Sequence, residues 1–101
     1  MKAIQRTILK YLPGKLAELE ELLEKYKAIV NRLGSTKWKR YSRITGGDCI
    51  HTLIFEEEFD SFAAFGAYLD KLWMDKEMGE LISKLGPITE IHEIDLVSPV
   101  S

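Results

Sequence analysis

An α+β domain with the element order βαββαβ is predicted by three features of the sequence. A leucine stripe at helical spacing occupies residues 15–33, and two alternating segments flank the pair Gly46-Gly47. A second helical stripe, interrupted near Asp75, runs on to Gly86-Pro87. At 101 residues the chain can bury one core but not two, so residues 1–101 are read as a single domain.

The first element is a strand over residues 3–11, AIQRTILKY, which alternates and is rich in β-branched side chains. Pro13-Gly14 ends it. Leu16, Leu19, Leu23, Tyr26, Val30 and Leu33 then follow at steps of three and four, one stripe of an amphipathic helix. Gly34 stands where a helix-terminating glycine belongs. Residues 36–45 and 48–57 read as the second and third strands, joined by a tight turn at Gly46-Gly47, because both central residues of a type I′ turn need positive φ. In that register Ser42 pairs with His51, Arg40 with Leu53 and Trp38 with Phe55. Asp60 or Ser61 is a fitting N-cap for the next helix, whose stripe is Phe62, Phe65, Leu69 and Leu72 or Trp73. The phase slips at Met74-Asp75, which predicts a break there, and Met78, Leu81, Ile82 and Leu85 resume it. The segment ITEIHEIDLVSPV supplies the fourth strand.

This order is the split βαβ, ferredoxin-like plan: a four-stranded antiparallel sheet with two helices on one face. Right-handed crossovers place both helices on the same side. The reverse side then carries Ile50, Ile54, Tyr41, Ile4 and Ile8, an apolar face that is expected to meet a second copy. Burying about 400 Å² of it per chain at ~25 cal/mol/Å² would favour association by roughly 10 kcal/mol before the costs of binding.

Composition narrows the function classes. A formal charge of −2 with mixed signs gives no basic field for nucleic acid. The run Lys37-Trp38-Lys39-Arg40-Tyr41-Ser42-Arg43 reads as a strand with a solvated face rather than a phosphate-binding surface. The lone Cys49 can form no intrachain disulfide and reads as a buried, inert thiol. No segment has the length of a membrane span, and residues 1–15 lack the continuous apolar core of a signal peptide. A cytoplasmic protein with no nucleic-acid or membrane partner is the expectation. Two histidines with no clustered ligands argue against a metal, and Glu56-Glu57-Glu58 reads as a solvated strand end, since neighbouring strand residues point alternately.

The stretches YLPGKLAELEELLEKYKAIVNRLG, GGD and FEEEFDSFAAFGAYLDKLWMDKEM resemble the dimeric α/β-barrel superfamily. Within it, the chain is most similar to small NIPSNAP-like and antibiotic-biosynthesis-monooxygenase-like domains. The likeness rests on the Pro-Gly-Lys end of strand one, the Glu58-Phe59-Asp60-Ser61 turn and the Asp75-Lys76-Glu77 break. It implies a sheet-to-sheet homodimer and a small aromatic or lipophilic ligand held between sheet and helices. It also implies chemistry without a cofactor, but the Asn of strand one and the Trp ending strand three that oxygenases of this superfamily use are replaced by Thr7 and Phe59.

The face that turns toward the helices in the predicted register gathers the candidate site. His51 is the candidate base, since imidazole titrates near neutrality, and Arg40 the candidate anion-holding group. Trp38, Ser42, Phe55, Phe65, Tyr68 and Trp73 are the candidate ligand-binding residues. Two functions follow: a cofactor-independent monooxygenase or isomerase acting on a lipophilic or aromatic compound, or a non-catalytic ligand-binding or protein-interaction module of the same fold.

Overall fold

A computed structural model describes residues 1–100. It contains β1 (Ala3–Tyr11), α1 (Leu16–Leu33), β2 (Lys37–Ser42), β3 (Thr52–Phe59), α2 (Phe62–Met74), α3 (Lys76–Leu85), a 3₁₀ turn (Gly86–Ile88) and β4 (Thr89–Val97). The four strands form one antiparallel sheet in the order β2-β3-β1-β4. Among the described residues, no helix is long and apolar enough to cross a membrane.

Local chemistry sets the boundaries. Gly34 takes φ 119°, and its N–H and that of Ser35 close on the carbonyls of Asn31 and Val30, ending α1. The Ser61 hydroxyl accepts the Ala64 N–H at 3.0 Å and starts α2. Asp75 sits in extended backbone between α2 and α3, and its carboxylate accepts the Met78 N–H at 2.9 Å. The expected break is therefore a cap: one residue closes the second helix with its backbone N–H, donated to the Leu72 carbonyl, and opens the third with its side chain.

The core lies between the helices and the inward face of β1 and β3. It joins Leu9, Leu53, Phe55 and Phe59 of the sheet to Leu19, Leu23, Val30, Tyr68, Met78 and Leu81 of the helices. Leu16, Phe62 and Ile82 of the expected stripes lie outside it, for all three are exposed. Leu22 and Ile29 of α1 and Tyr68 of α2 are buried instead, because each helix turns its stripe toward two neighbouring elements rather than one.

The β2–β3 hairpin departs from the expected tight turn. Ser42 pairs with Leu53, Arg40 with Phe55 and Trp38 with Glu57, two residues off the predicted register. Loop 43–51 intervenes. Gly46 and Gly47 do adopt positive φ, but Asp48 Oδ1 accepts the N–H groups of both Ile50 and His51 at 3.1 Å. An Asx cap thus takes the donors that a tight hairpin needs for its ladder. The slip is even, so every strand side chain keeps its predicted face. His51 and Ile50, however, leave the strand for the loop, and Cys49 is half-buried there rather than in the core.

The reverse face of the sheet is more charged than expected. Ile8, Ile54 and Tyr41 form one apolar part and Ile4 and Val97 another, divided by the rung that holds the Arg6–Asp95 ion pair at 3.6 Å and bordered by Lys37–Glu58 at 3.5 Å. Ile50 contributes nothing to this face.

Candidate functional site

Alternation along β3 decides the chemistry of the interior. Leu53, Phe55, Glu57 and Phe59 face the helices, while Glu56 and Glu58 face the other way. Glu57 is only 1% exposed. This corrects the reading of the three glutamates as a solvated strand end: the strand runs on to Phe59, so its period carries the middle carboxylate inward. There Tyr26 of α1 donates its hydroxyl to Glu57 Oε1 at 2.7 Å, and Tyr68 of α2 donates to Oε2 at 3.4 Å. Burial pushes the Glu57 carboxyl above the ordinary carboxylate value, with the Tyr26, Tyr68 and Ser35 hydroxyls pulling the other way. Burial, and then the nearby carboxylate, push both tyrosines up in turn. Tyr26 packs against Phe55 and Trp38, with ring centroids 5.8 and 6.3 Å away. The Trp38 indole N–H is buried with no acceptor.

Beside this group lies an apolar cavity of about 290 Å³ between sheet and helices. Gln5, Thr7 and Leu9 of β1 and Phe55 of β3 floor it; Tyr26, Leu72 and Trp73 stand opposite; Met78, Ile82, Ile91 and Ile94 form its remaining wall. Its origin is the break at Asp75. Released from the line of α2, α3 packs mainly on α1, which leaves β4 uncovered. Ile91 and Ile94 pair beside Leu9 and Thr7 on the helix-facing side, yet each is more than half exposed. Trp73 is 78% exposed at the rim. The volume sits at the small end of the range for ligand sites, matched to a compound of one or two rings.

The expected catalytic residues do not meet there. Arg40 projects from β2 toward α1 and forms a two-pronged ion pair with Glu20, one arm being Nη1 to Oε2 at 2.7 Å. The Arg40 hydrogen bond holds the Glu20 carboxyl below its ordinary value. His51 lies at the other end of β1, in loop 43–51, with Nδ1 3.2 Å from Asp48 Oδ2 and its ring edge-on to Tyr11. Lys10 approaches the same carboxylate at 3.3 Å. The backbone N–H of His51 holds the Asp48 carboxyl down at about 2. His51, Asp48, Lys10 and Tyr11 line a separate surface pocket of about 300 Å³.

Of the expected ligand-binding residues, Phe55 and Trp73 line the apolar cavity. Trp38 stands behind Phe55, ring centroids 5.6 Å apart, and Phe65 and Tyr68 pack on Phe59 at 5.1 and 4.9 Å. Ser42 is exposed at the end of β2. The Tyr26–Glu57 pair escaped the sequence reading, although the apolar bracket Phe55 and Phe59 around Glu57 was a usable signal.

No protein-family model matches the chain, and no curated protein matches it in sequence. Solved structures do match. A NIPSNAP family protein from Agrobacterium tumefaciens superposes with a TM-score of 0.78 at 16% identity, over 99% of this chain and 94% of the other. A NIPSNAP-like domain protein from Burkholderia xenovorans gives 0.79 at 13% identity, over 99% and 86%. A variant of SnoaB, a cofactor-independent oxygenase from Streptomyces nogalater, gives 0.75 at 13% identity, over 99% and 94%. The chain therefore has the ferredoxin-like α+β fold of these NIPSNAP, NIPSNAP-like and cofactor-independent oxygenase structures.

Proposed function

We propose that this domain is a cytoplasmic homodimer that binds a small lipophilic or aromatic molecule in the cavity between its sheet and helices. The observation that carries the reading is the apolar cavity of about 290 Å³ beneath β4, where isoleucines face the helix layer without being covered by it. A ligand there would remove apolar surface from water that the chain itself leaves wet. The dimer is supported by the apolar side chains Ile8 and Ile54, paired with each other on the reverse face. Substituting Leu72 by Trp would fill the cavity from α2. Wild-type protein is expected to bind 2-methoxynaphthalene in equilibrium dialysis, and Leu72→Trp to bind at least tenfold less while remaining folded. Equal binding by the two proteins would place the compound elsewhere and end the proposal.

A second reading adds chemistry: oxygenation or isomerisation of the bound compound without a cofactor, favoured by the likeness to SnoaB. In this reading His51 would act as base and Arg40 would stabilise the anion. Both would have to act from outside the cavity, because Arg40 is held by Glu20 and His51 by Asp48. Replacing His51 by Ala tests it, with loss of turnover but not of binding as the supporting result. The same fold serving as a non-catalytic binding or interaction module predicts ligand retention without turnover.

A further inference from the structure

One rung on the reverse face of the sheet takes a charge from every strand. Lys39 of β2 lies opposite Glu56 of β3, Glu56 opposite Arg6 of β1, and Arg6 opposite Asp95 of β4. In the sheet order β2-β3-β1-β4 the signs run plus, minus, plus, minus. Within the chain these groups are loosely satisfied. Arg6 reaches Asp95 at 3.6 Å, beyond hydrogen-bond length, and Glu56 accepts the Tyr41 hydroxyl at 3.0 Å. A guanidinium has five donors and a carboxylate about four lone-pair sites, so each keeps capacity for a further partner.

The sign pattern is antisymmetric about the line between β3 and β1, and that decides how a second copy can sit. A twofold axis along the strands, midway between β3 and β1, reverses the strand order of the facing sheet. Arg6 then faces the partner's Glu56, Lys39 faces the partner's Asp95, and the whole rung meets opposite signs. A twofold axis across the strands, along the rung, keeps the strand order and sets every charge against its own kind. The neighbouring rung agrees with the reversed order, which sets Ile54 against the partner's Ile8 and Tyr41 against the partner's Glu93. The rung on the other side has no such match, and there Lys37 and Glu58 pair with each other at 3.5 Å instead. Face-packed sheets stand about 10 Å apart, a gap that a long cation from one and a carboxylate from the other can bridge.

We propose that the rung Lys39, Glu56, Arg6 and Asp95 orients the homodimer, pairing with its own reversed copy through Arg6–Glu56 and Lys39–Asp95 contacts between subunits. Desolvating charges returns little net affinity, whereas a wrong partner or orientation leaves them unpaired or repelling. The isoleucines therefore supply the attraction and the rung supplies the choice of partner. The proposal rests on the reading of the reverse face as a dimer interface and adds which way the second copy lies.

Sedimentation velocity of two charge reversals, alone and mixed, tests it. In an Arg6→Glu homodimer the two central contacts become carboxylate against carboxylate, and in a Glu56→Lys homodimer cation against cation. Each variant alone is expected to have a Kd raised about a hundredfold or more over wild type. In their equimolar mixture every contact again joins opposite signs, and the heterodimer is expected within about tenfold of the wild-type Kd. Should either variant fail to fold by circular dichroism, Lys39→Glu and Asp95→Lys on the outer strands form a second pair with the same expected pattern. Variants as dimeric as wild type, or a mixture no more dimeric than its components, would overturn the reversed pairing while leaving the dimer. A folded wild-type monomer would overturn both readings together.

Discussion

A single buried carboxylate shapes the acid–base behaviour of the interior. Because burial raises the Glu57 pKa, the folded chain holds that proton at pH values where the unfolded chain, with a carboxyl near 4.5, has lost it. Stability contributed by the protonated form is therefore complete below the unfolded value and is lost as pH rises through the folded one. Asp48, Asp75 and Glu20 act in the opposite direction. Their folded pKa values are depressed, so their contribution is present above the ordinary carboxylate range and is lost in acid, for Asp48 as pH falls toward about 2. Urea unfolding at a series of pH values is expected to show the stability of Glu57→Gln improving relative to wild type as pH is raised from 4 through the Glu57 titration. A difference that is flat with pH would mean that the carboxylate is not desolvated. Tyr26→Phe is expected to cost about 1–3 kcal/mol, since it strips the shorter of two hydrogen bonds from a buried acceptor.

Caps and strand periods decide where the elements stop, and they account for what the sequence made legible. The helix α1 with its glycine terminator, the Ser61 cap and the break at Asp75 were readable because each depends on two or three adjacent residues. Ser61→Ala is expected to lower stability by about 1 kcal/mol in denaturant titration, through loss of the bond to the Ala64 N–H. At Gly34 a Cβ would meet nothing within 4 Å, so the cost of Gly34→Ala is one of backbone conformation alone, about 1–2 kcal/mol. The hairpin was less legible. The glycine pair announced a turn correctly, but the competing cap made by Asp48 acts between a side chain and backbone groups that pattern reading treats as already paired. His51 was consequently placed on a strand beside Arg40, and the candidate site inherited that error. Of the side chains expected between sheet and helices, Phe55 and Trp73 do border the gap there. The buried Glu57 was not legible, because the expected strand ends at residue 57 and the bracket of Phe55 and Phe59 shows only when it runs on to Phe59.

The whole molecule has two apolar surfaces of different character, and each calls for a different cover. On the helix side the gap under β4 is concave and small. On the reverse side Ile8 lies directly opposite Ile54 and Tyr41 continues this row on β2, while Ile4 and Val97 form a second apolar pair beyond the charged rung of Lys39, Glu56, Arg6 and Asp95. Charges of both signs surround the row, with Arg6 and Lys37 paired to Asp95 and Glu58. That arrangement suits a self-complementary contact, in which a twofold axis would set the isoleucine rows against each other and let the charged flanks meet opposite signs. In such a dimer each substitution is felt twice. Replacing Ile8 or Ile54 by Glu is expected to weaken association by roughly 3 kcal/mol or more, over a hundredfold in Kd, because each would remove an apolar contact and leave a carboxylate facing an apolar one. Neither side chain belongs to the core on the helix side, so the monomer is expected to stay folded. Sedimentation velocity at micromolar concentration checks this. Wild-type protein should run as a dimer and Ile54→Glu as a folded monomer, whereas a folded wild-type monomer would mean that the row is tolerated in water and that the sheets do not pair.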